Sequence, residues 1–342
     1  MLLRQITHGL LQTDNYAQRL DAANALYAML SEITKVSFNT QDPLYLEETQ
    51  LGEGKALSPR DATRCITDFM RTAGFISGLR AAIIEARRRF PDETIHVLYA
   101  GCGPFAPLMI PLTTEFDATQ VQFTLLDIHK QSLDAARQIV CALGLKDFVR
   151  DYVRADATSY QHPPESALHI VLTETMQRVL SKEPQVMITS NLVPQLVEGG
   201  ILVPQKITLR TALADVNQEH AFADNNDAAS HDTKRQRIYL GQVFELTAES
   251  SRGVRDWPTT KENLGARTSP PIRLSVPQLN GHAYKLMLLT EITVFDSIVI
   301  GDYHSGITYP VVCDELDGIE SGSQIEFHYQ TGAHPGLQYR IL

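Results

Sequence analysis

The chain has 342 residues, 43% hydrophobic and 20% charged, which suffices for one large core or two modest ones and argues against whole-chain disorder, collagen or coiled coil. Thirty Lys and Arg against 40 Asp and Glu give a net charge of −10, a poor match to a nucleic-acid backbone and a better one to a cationic partner. No apolar run approaches the roughly 18 residues of a membrane span, and the N-terminus turns polar too early for a signal peptide, so a cytoplasmic protein without a membrane partner is expected. Cys65, Cys102, Cys141 and Cys313 lie far apart with no CxxC pair, and none of the 11 histidines forms a spaced metal pair; reduced thiols and no metal are expected.

From about Asp14 to Phe90 the apolar residues fall mostly at helical spacing, as in Leu20, Ala23, Leu26 and Leu30 and again in Ile66, Phe69, Ala73, Ile76 and Leu79. Ser58-Pro59-Arg60-Asp61 has the order of a cap, a first-turn proline and an acid that starts a helix. Residues 1–92 are therefore read as an N-terminal helical region. Between Ile95 and Pro204 short runs (IHVLYA, VQFTLLD, a stretch around YVRAD, ALHIVLT, GGILVP) alternate with helical segments at 132–143 and 184–197. Such alternation predicts βαβ units and a parallel sheet over 93–204. After Pro204 the runs KITLRTAL, RQRIYLGQVFELTA, YKLMLLTEITVF and SQIEFHYQ predict an antiparallel β-barrel or sandwich over 205–342, interrupted by a polar loop at about 215–237. The fold class is thus α/β plus β.

Val97 to Ala100 run into Gly101-Cys102-Gly103-Pro104, a buried strand entering a glycine-bearing turn expected to open a helix. Glycine lets a ligand approach the backbone closely, although such turns also occur for steric reasons alone. Asp127, followed by Ile128, ends the next strand, where a carboxylate can accept from two ribose hydroxyls or cap a helix. Asp156 and Ala157 follow the third strand, near where an adenine amino group would be read. Ligand positions at consecutive strand ends favour a nucleoside site. A dinucleotide fingerprint needs a third glycine, and the chain has Pro104-Phe105-Ala106-Pro107 instead. S-adenosylmethionine, which has no phosphate to cradle, suits this turn better.

The fourth strand leads into Glu174, and Glu183 follows nine residues later. Two carboxylates on one loop can clamp a guanidinium and aim its lone pair at an electrophilic methyl group; alternatively Glu183 occupies a helix first turn. Over residues 60–210 the chain resembles the class I S-adenosylmethionine methyltransferases, and in particular the protein arginine methyltransferases, whose double-glutamate loop reads Glu-x8-Glu. Asp68-Phe69-Met70-Arg71-Thr72-Ala73-Gly74-Phe75 is similar to the family's N-terminal helix signature. The resemblance implies a Rossmann-like cofactor domain in which Arg71 holds the carboxylate of the cofactor methionine. It also implies that Phe75 covers the cofactor, the Gly101–Pro104 turn meets its methionine part, Asp127 binds ribose, and Met176 borders the pocket. Glu174 and Glu183 would position the acceptor nitrogen, with Glu174 the first candidate to take up a proton.

The chain departs from the family pattern at Tyr99, where an acid is usual, and at Phe105, where a third glycine is usual. The ribose position holds Asp127 instead of the more usual Glu, and no Thr-His-Trp motif is present. By order the nearest substitute is Tyr303-His304-Ser305-Gly306. A cationic peptide or protein, or a small-molecule acceptor, therefore stays open, as do a nicotinamide dehydrogenase and a non-catalytic binding module. Family members commonly dimerise through an arm from the barrel, for which only the 215–237 stretch is available here. Arg87-Arg88-Arg89 is read as a solvated helix end, His96, His129 and His169 as packing or capping residues, and Trp257 as packing or pocket lining.

Overall fold

The computed structural model describes residues 2–12, 15–216, 219, 237–259, 265–279, 284–313 and 319–342. Most of the 215–237 stretch, including the proposed arm, lies outside them. Helices α1 (Leu2–Leu11) and α2 (Tyr16–Thr34) open the chain, the second capped by Asn15, whose side chain accepts from the Gln18 N–H. The expected helical run is then interrupted. Strands β1 (Thr49–Leu51) and β2 (Gly54–Ala56) form an antiparallel hairpin, because Pro43, Gly52 and Gly54 disfavour an α-helix across 35–57, where only a 3-10 turn forms at Pro43–Tyr45. Helix resumes in α3 (Pro59–Ala62) and α4 (Phe69–Arg89). Ser58 and Asp68 supply the two N-caps.

The parallel sheet comprises β3 (Ile95–Ala100), β4 (Val121–Asp127), β5 (Val149–Arg154), β6 (Ile170–Thr173) and β7 (Ile201–Val203), joined through α5 (Lys130–Ala142) and α6 (Gln185–Leu192). Its order is β5-β4-β3-β6-β7, so the chain reverses direction across the sheet between β3 and β6. A crevice opens at the carboxyl ends of strands at such a reversal, and ligands bind there in open α/β sheets. The alternating side chains of β3 sort to two faces. Val97 and Tyr99 belong to the larger core with Phe75, Ile76 and Leu79 of α4, whereas Leu98 and Ala100 pack with Ile188 and Leu192 of α6.

The remainder forms two antiparallel sheets. One has the order β12-β11-β8-β9 and comprises β8 (Lys206–Ala214), β9 (Ile238–Thr247), β11 (Lys285–Phe295) and β12 (Ile298–Ile300), with β13 (Val311–Cys313) also pairing to β11. The other has the order β10-β14-β15 and comprises β10 (Ile272–Ser275), β14 (Gln324–Gln330) and β15 (Gly336–Ile341). The mixed α/β architecture followed by antiparallel sheets is the fold class expected from the sequence. Helix α4 lies against β11 so closely that a Cβ at Gly78 would come 2.3 Å from Val294 Cγ1. Among the described residues no helix is long and apolar enough to cross a membrane.

Candidate functional site

At the carboxyl end of β3 the backbone reverses through Gly101 (φ 72°) and Gly103 (φ 62°), both left-handed. The Gly101 and Cys102 N–H groups donate to the Leu126 carbonyl at 2.9 and 3.1 Å, which ties the turn to the neighbouring strand. A Cβ on Gly101 would sit 2.3 Å from Thr175 Cγ2, so the position requires glycine twice over. The expected α-helix does not follow. Each proline disfavours helical backbone at the residue before it, and Ala106, before Pro107, is left-handed (φ 41°). Only a short 3-10 turn, Ile110–Thr114, forms farther on.

A cavity opens over this turn, and the structure brings twelve of the thirteen residues singled out above to its wall. Met176 is the exception, buried in the main core and absent from the wall. Asp127 accepts from the Gly103 N–H through Oδ2 and from the His129 N–H through Oδ1, each at 2.9 Å. An ionised carboxylate has about four lone-pair sites, so further acceptor capacity remains. Ile128 lines the wall beside it. Asp156 caps its own turn, Oδ1 accepting from Thr158 N–H at 2.8 Å and Oγ1–H at 2.7 Å, and Ala157 O accepts from Asn191 Nδ2 at 3.0 Å.

The cavity wall also carries two glutamates. Glu174 leaves the end of β6 and pairs with Arg71 of α4 through Oε2, while its Oε1 is buried without a hydrogen-bond partner. Glu183 returns to the same wall and is only 6% exposed. Burial pushes both carboxyls up to about 7; Arg71 opposes the rise at Glu174, and the charge of Glu174 adds to it at Glu183. At Arg71 burial works against the charge, but Cys65 and Glu174 outweigh it and the pKa rises. Phe75 is fully buried on this wall, and burial pushes the Cys102 thiol up.

Several wall residues escape sequence reasoning. Leu51, Lys55 and Leu57 come from the β1–β2 hairpin and its exit. The hairpin is fastened by Thr49 Oγ1 to His129 Nε2 at 3.0 Å and by the Lys55 N–H to the Lys182 carbonyl at 2.9 Å. The one signal for it is Gly52-Glu53-Gly54, a turn composition between two short β-type runs. Tyr99 also lines the cavity, from the α4 face of β3. His304 does not: its ring is exposed and its Nδ1 accepts from the Gly301 N–H at 3.3 Å. The neighbouring Ser305 turns inward, its Oγ donating to Asp68 Oδ2 at 2.6 Å. Among the described residues no group of three or more His, Cys, Asp and Glu is placed to hold a metal ion.

No family model and no curated protein sequence matches the chain. Among solved structures, a chain of the Trypanosoma brucei PRMT1 enzyme–prozyme heterotetrameric complex with AdoHcy matches with a TM-score of 0.51 and 13% identity. The match covers 82% of this chain and 98% of that one. The two share a fold.

Proposed function

We propose that the chain is an S-adenosylmethionine-dependent N-methyltransferase whose acceptor is a guanidino nitrogen. The observation that carries this reading is the pair of buried glutamates on one cavity wall with Arg71 and the glycine turn, Glu174 Oε1 having no hydrogen-bond donor of its own. A buried acceptor atom left without a donor costs about 1–3 kcal/mol, and a cationic N–H would satisfy it. The AdoHcy in the trypanosome complex supports the choice of cofactor, and its heterotetrameric assembly supports an oligomeric state for this chain.

The donor set suits that cofactor. Arg71 uses one of its five N–H donors on Glu174 and keeps others for a carboxylate. Asp127 retains lone pairs for a ribose diol, and Asp156 and Ala157 stand at the adenine end. The absence of a helix start after Gly103 removes the usual seat of a dinucleotide's pyrophosphate. When bound, S-adenosylmethionine supplies a methyl group already activated on a sulfonium. The protein then has to align the nucleophile and keep water away. Glu174 Oε1 accepts from the acceptor nitrogen, and Glu183 offsets its positive charge; in place of Glu174, the first candidate from the sequence, Glu183 takes up the proton released, because Arg71 supports the charged form of Glu174.

The outward-facing His304 favours a second reading, in which the same machinery serves a small molecule or peptide with a non-guanidino nitrogen. Incubating the protein with isotopically labelled S-adenosylmethionine, arginine-rich peptides and a small-molecule extract, followed by mass spectrometry, separates the two. Label on a guanidino nitrogen supports the first reading, and label on another nitrogen the second. The absence of any labelled product rejects both.

A further inference from the structure

The loop carrying the two glutamates is bent against its own preferences. Val179 (φ 52°), Leu180 (φ 55°) and Lys182 (φ 68°) are all left-handed, a region that strains any residue with a Cβ and a β-branched valine most. Local bonds hold it only in part: Leu180 N–H to Gln177 O at 3.1 Å, Ser181 N–H to Arg178 O at 3.1 Å, and Glu183 N–H to Ser181 O at 2.8 Å. Strain of this kind persists only where the surroundings over-determine the backbone. The surroundings here come from elsewhere in the chain. The Val179 N–H donates to Thr290 Oγ1 of β11 at 3.1 Å, the Lys182 N–H donates to Pro335 O at 3.1 Å, and the Tyr329 hydroxyl of β14 donates to Leu180 O at 2.8 Å.

Of these contacts, the one from Tyr329 comes from a buried aromatic cluster. The ring is fully buried, stacked on Phe244 with centroids 4.6 Å apart and planes 19° apart, and edge-on to Trp257 at 6.5 Å. Phenylalanine would fill that space equally well, so packing alone does not explain the hydroxyl. The geometry points to Tyr329 as a positioning residue: its hydroxyl pins the Leu180 carbonyl, fixes the left-handed turn, and thereby returns Glu183 to the cavity beside Glu174. This assignment rests on Glu183 acting in methyl transfer.

The test compares three full-length proteins: wild type, Tyr329→Phe, and Tyr329→Phe combined with Lys182→Gly. Lys182 is exposed, so glycine there relieves the left-handed strain without emptying the core. In Tyr329→Phe the amides of residues 179–183 exchange about tenfold faster and kcat falls about tenfold, while affinity for S-adenosylhomocysteine stays within about twofold. Adding Lys182→Gly restores part of both losses. Faster exchange with unchanged kcat, or unchanged exchange, overturns the positioning role. A wild-type chain that does not bind S-adenosylhomocysteine overturns the methyltransferase reading itself, before any variant is compared.

Discussion

Glu174 and Glu183 share one buried wall, so they titrate as a pair. With both carboxyls raised to about 7 by burial, part of the pair is protonated at neutral pH. A protonated carboxyl can neither offset the positive charge of the acceptor nitrogen nor take up its proton. Turnover should therefore rise with pH through a limb near 7 and then level off. A limb in the ordinary carboxylate range, near 4–5, would show that burial is not what tunes the site. Replacing Glu174 by Gln keeps the shape but removes the charge that pairs with Arg71 and leaves one acceptor oxygen to serve both Arg71 and the nitrogen. The expected loss in kcat is about a hundredfold or more, read by single-turnover transfer of labelled methyl; full activity in Glu174→Gln would sink the assignment of the loop.

Among the elements, α4 shows how a distant loop can bear on the site. One carboxylate joins them: Asp68 Oδ1 caps the helix by accepting from the Arg71 N–H at 3.2 Å, while Oδ2 accepts from Ser305 Oγ at 2.6 Å and the Gly306 N–H at 2.8 Å. Ser305→Ala should cost on the order of 1–2 kcal/mol in thermal unfolding and lower kcat/KM, because the start of α4 carries Arg71. His304→Ala should leave stability within about 0.5 kcal/mol and kcat/KM within about twofold, its exposed ring bonding only local backbone among the described residues; the reverse ranking would return His304 to the site. Ser305 and Asp68 are 237 residues apart, and no local pattern in a single sequence can signal such a contact. Strands β3, β4, β6 and β7 of the parallel sheet were legible as short apolar runs, whereas β5, VRDYVR, is mostly polar and less distinct. The hairpin at 49–56 was not, being polar and only three residues per strand, and the helix expected after Gly103 failed because two prolines outweighed the usual strand–turn–helix order.

Across the whole molecule, the parallel sheet holds groups of opposite titration behaviour at its two ends. At the carboxyl end lie the two glutamates; at the amino end lie His96, His162 and His169. The His96 N–H donates to His169 Nδ1 at 3.0 Å, which makes that nitrogen an acceptor and the His169 ring neutral, with Nε2–H free to donate to Glu93 at 3.1 Å. His96 in turn bonds the Ala167 carbonyl through Nδ1 and Thr124 Oγ1 through Nε2, partners that a neutral or a charged ring could hold, so its neutrality comes from burial. Burial lowers the pKa of all three, His96 to about 3, with Arg150 adding to the effect on each; Glu165 near His162 and Glu93 near His169 oppose it. The folded state thus binds fewer protons than the unfolded chain at these histidines below about 6.5, and stability is lost there as pH falls. At the glutamates it binds more protons between the ordinary carboxylate value and about 7, and stability is lost there as pH rises. The two slopes oppose each other between about pH 5 and 6.5, so the wild-type Tm should change little across that window. Glu183→Gln removes an acidic contribution and should make Tm fall on acidification from pH 6.5 to 5. His169→Asn, which keeps an acceptor for the His96 N–H but cannot be protonated, removes an opposing one and should make Tm rise over the same interval. The double variant should return to a nearly flat profile; parallel profiles in all four proteins would mean that neither end of the sheet sets the pH dependence of folding.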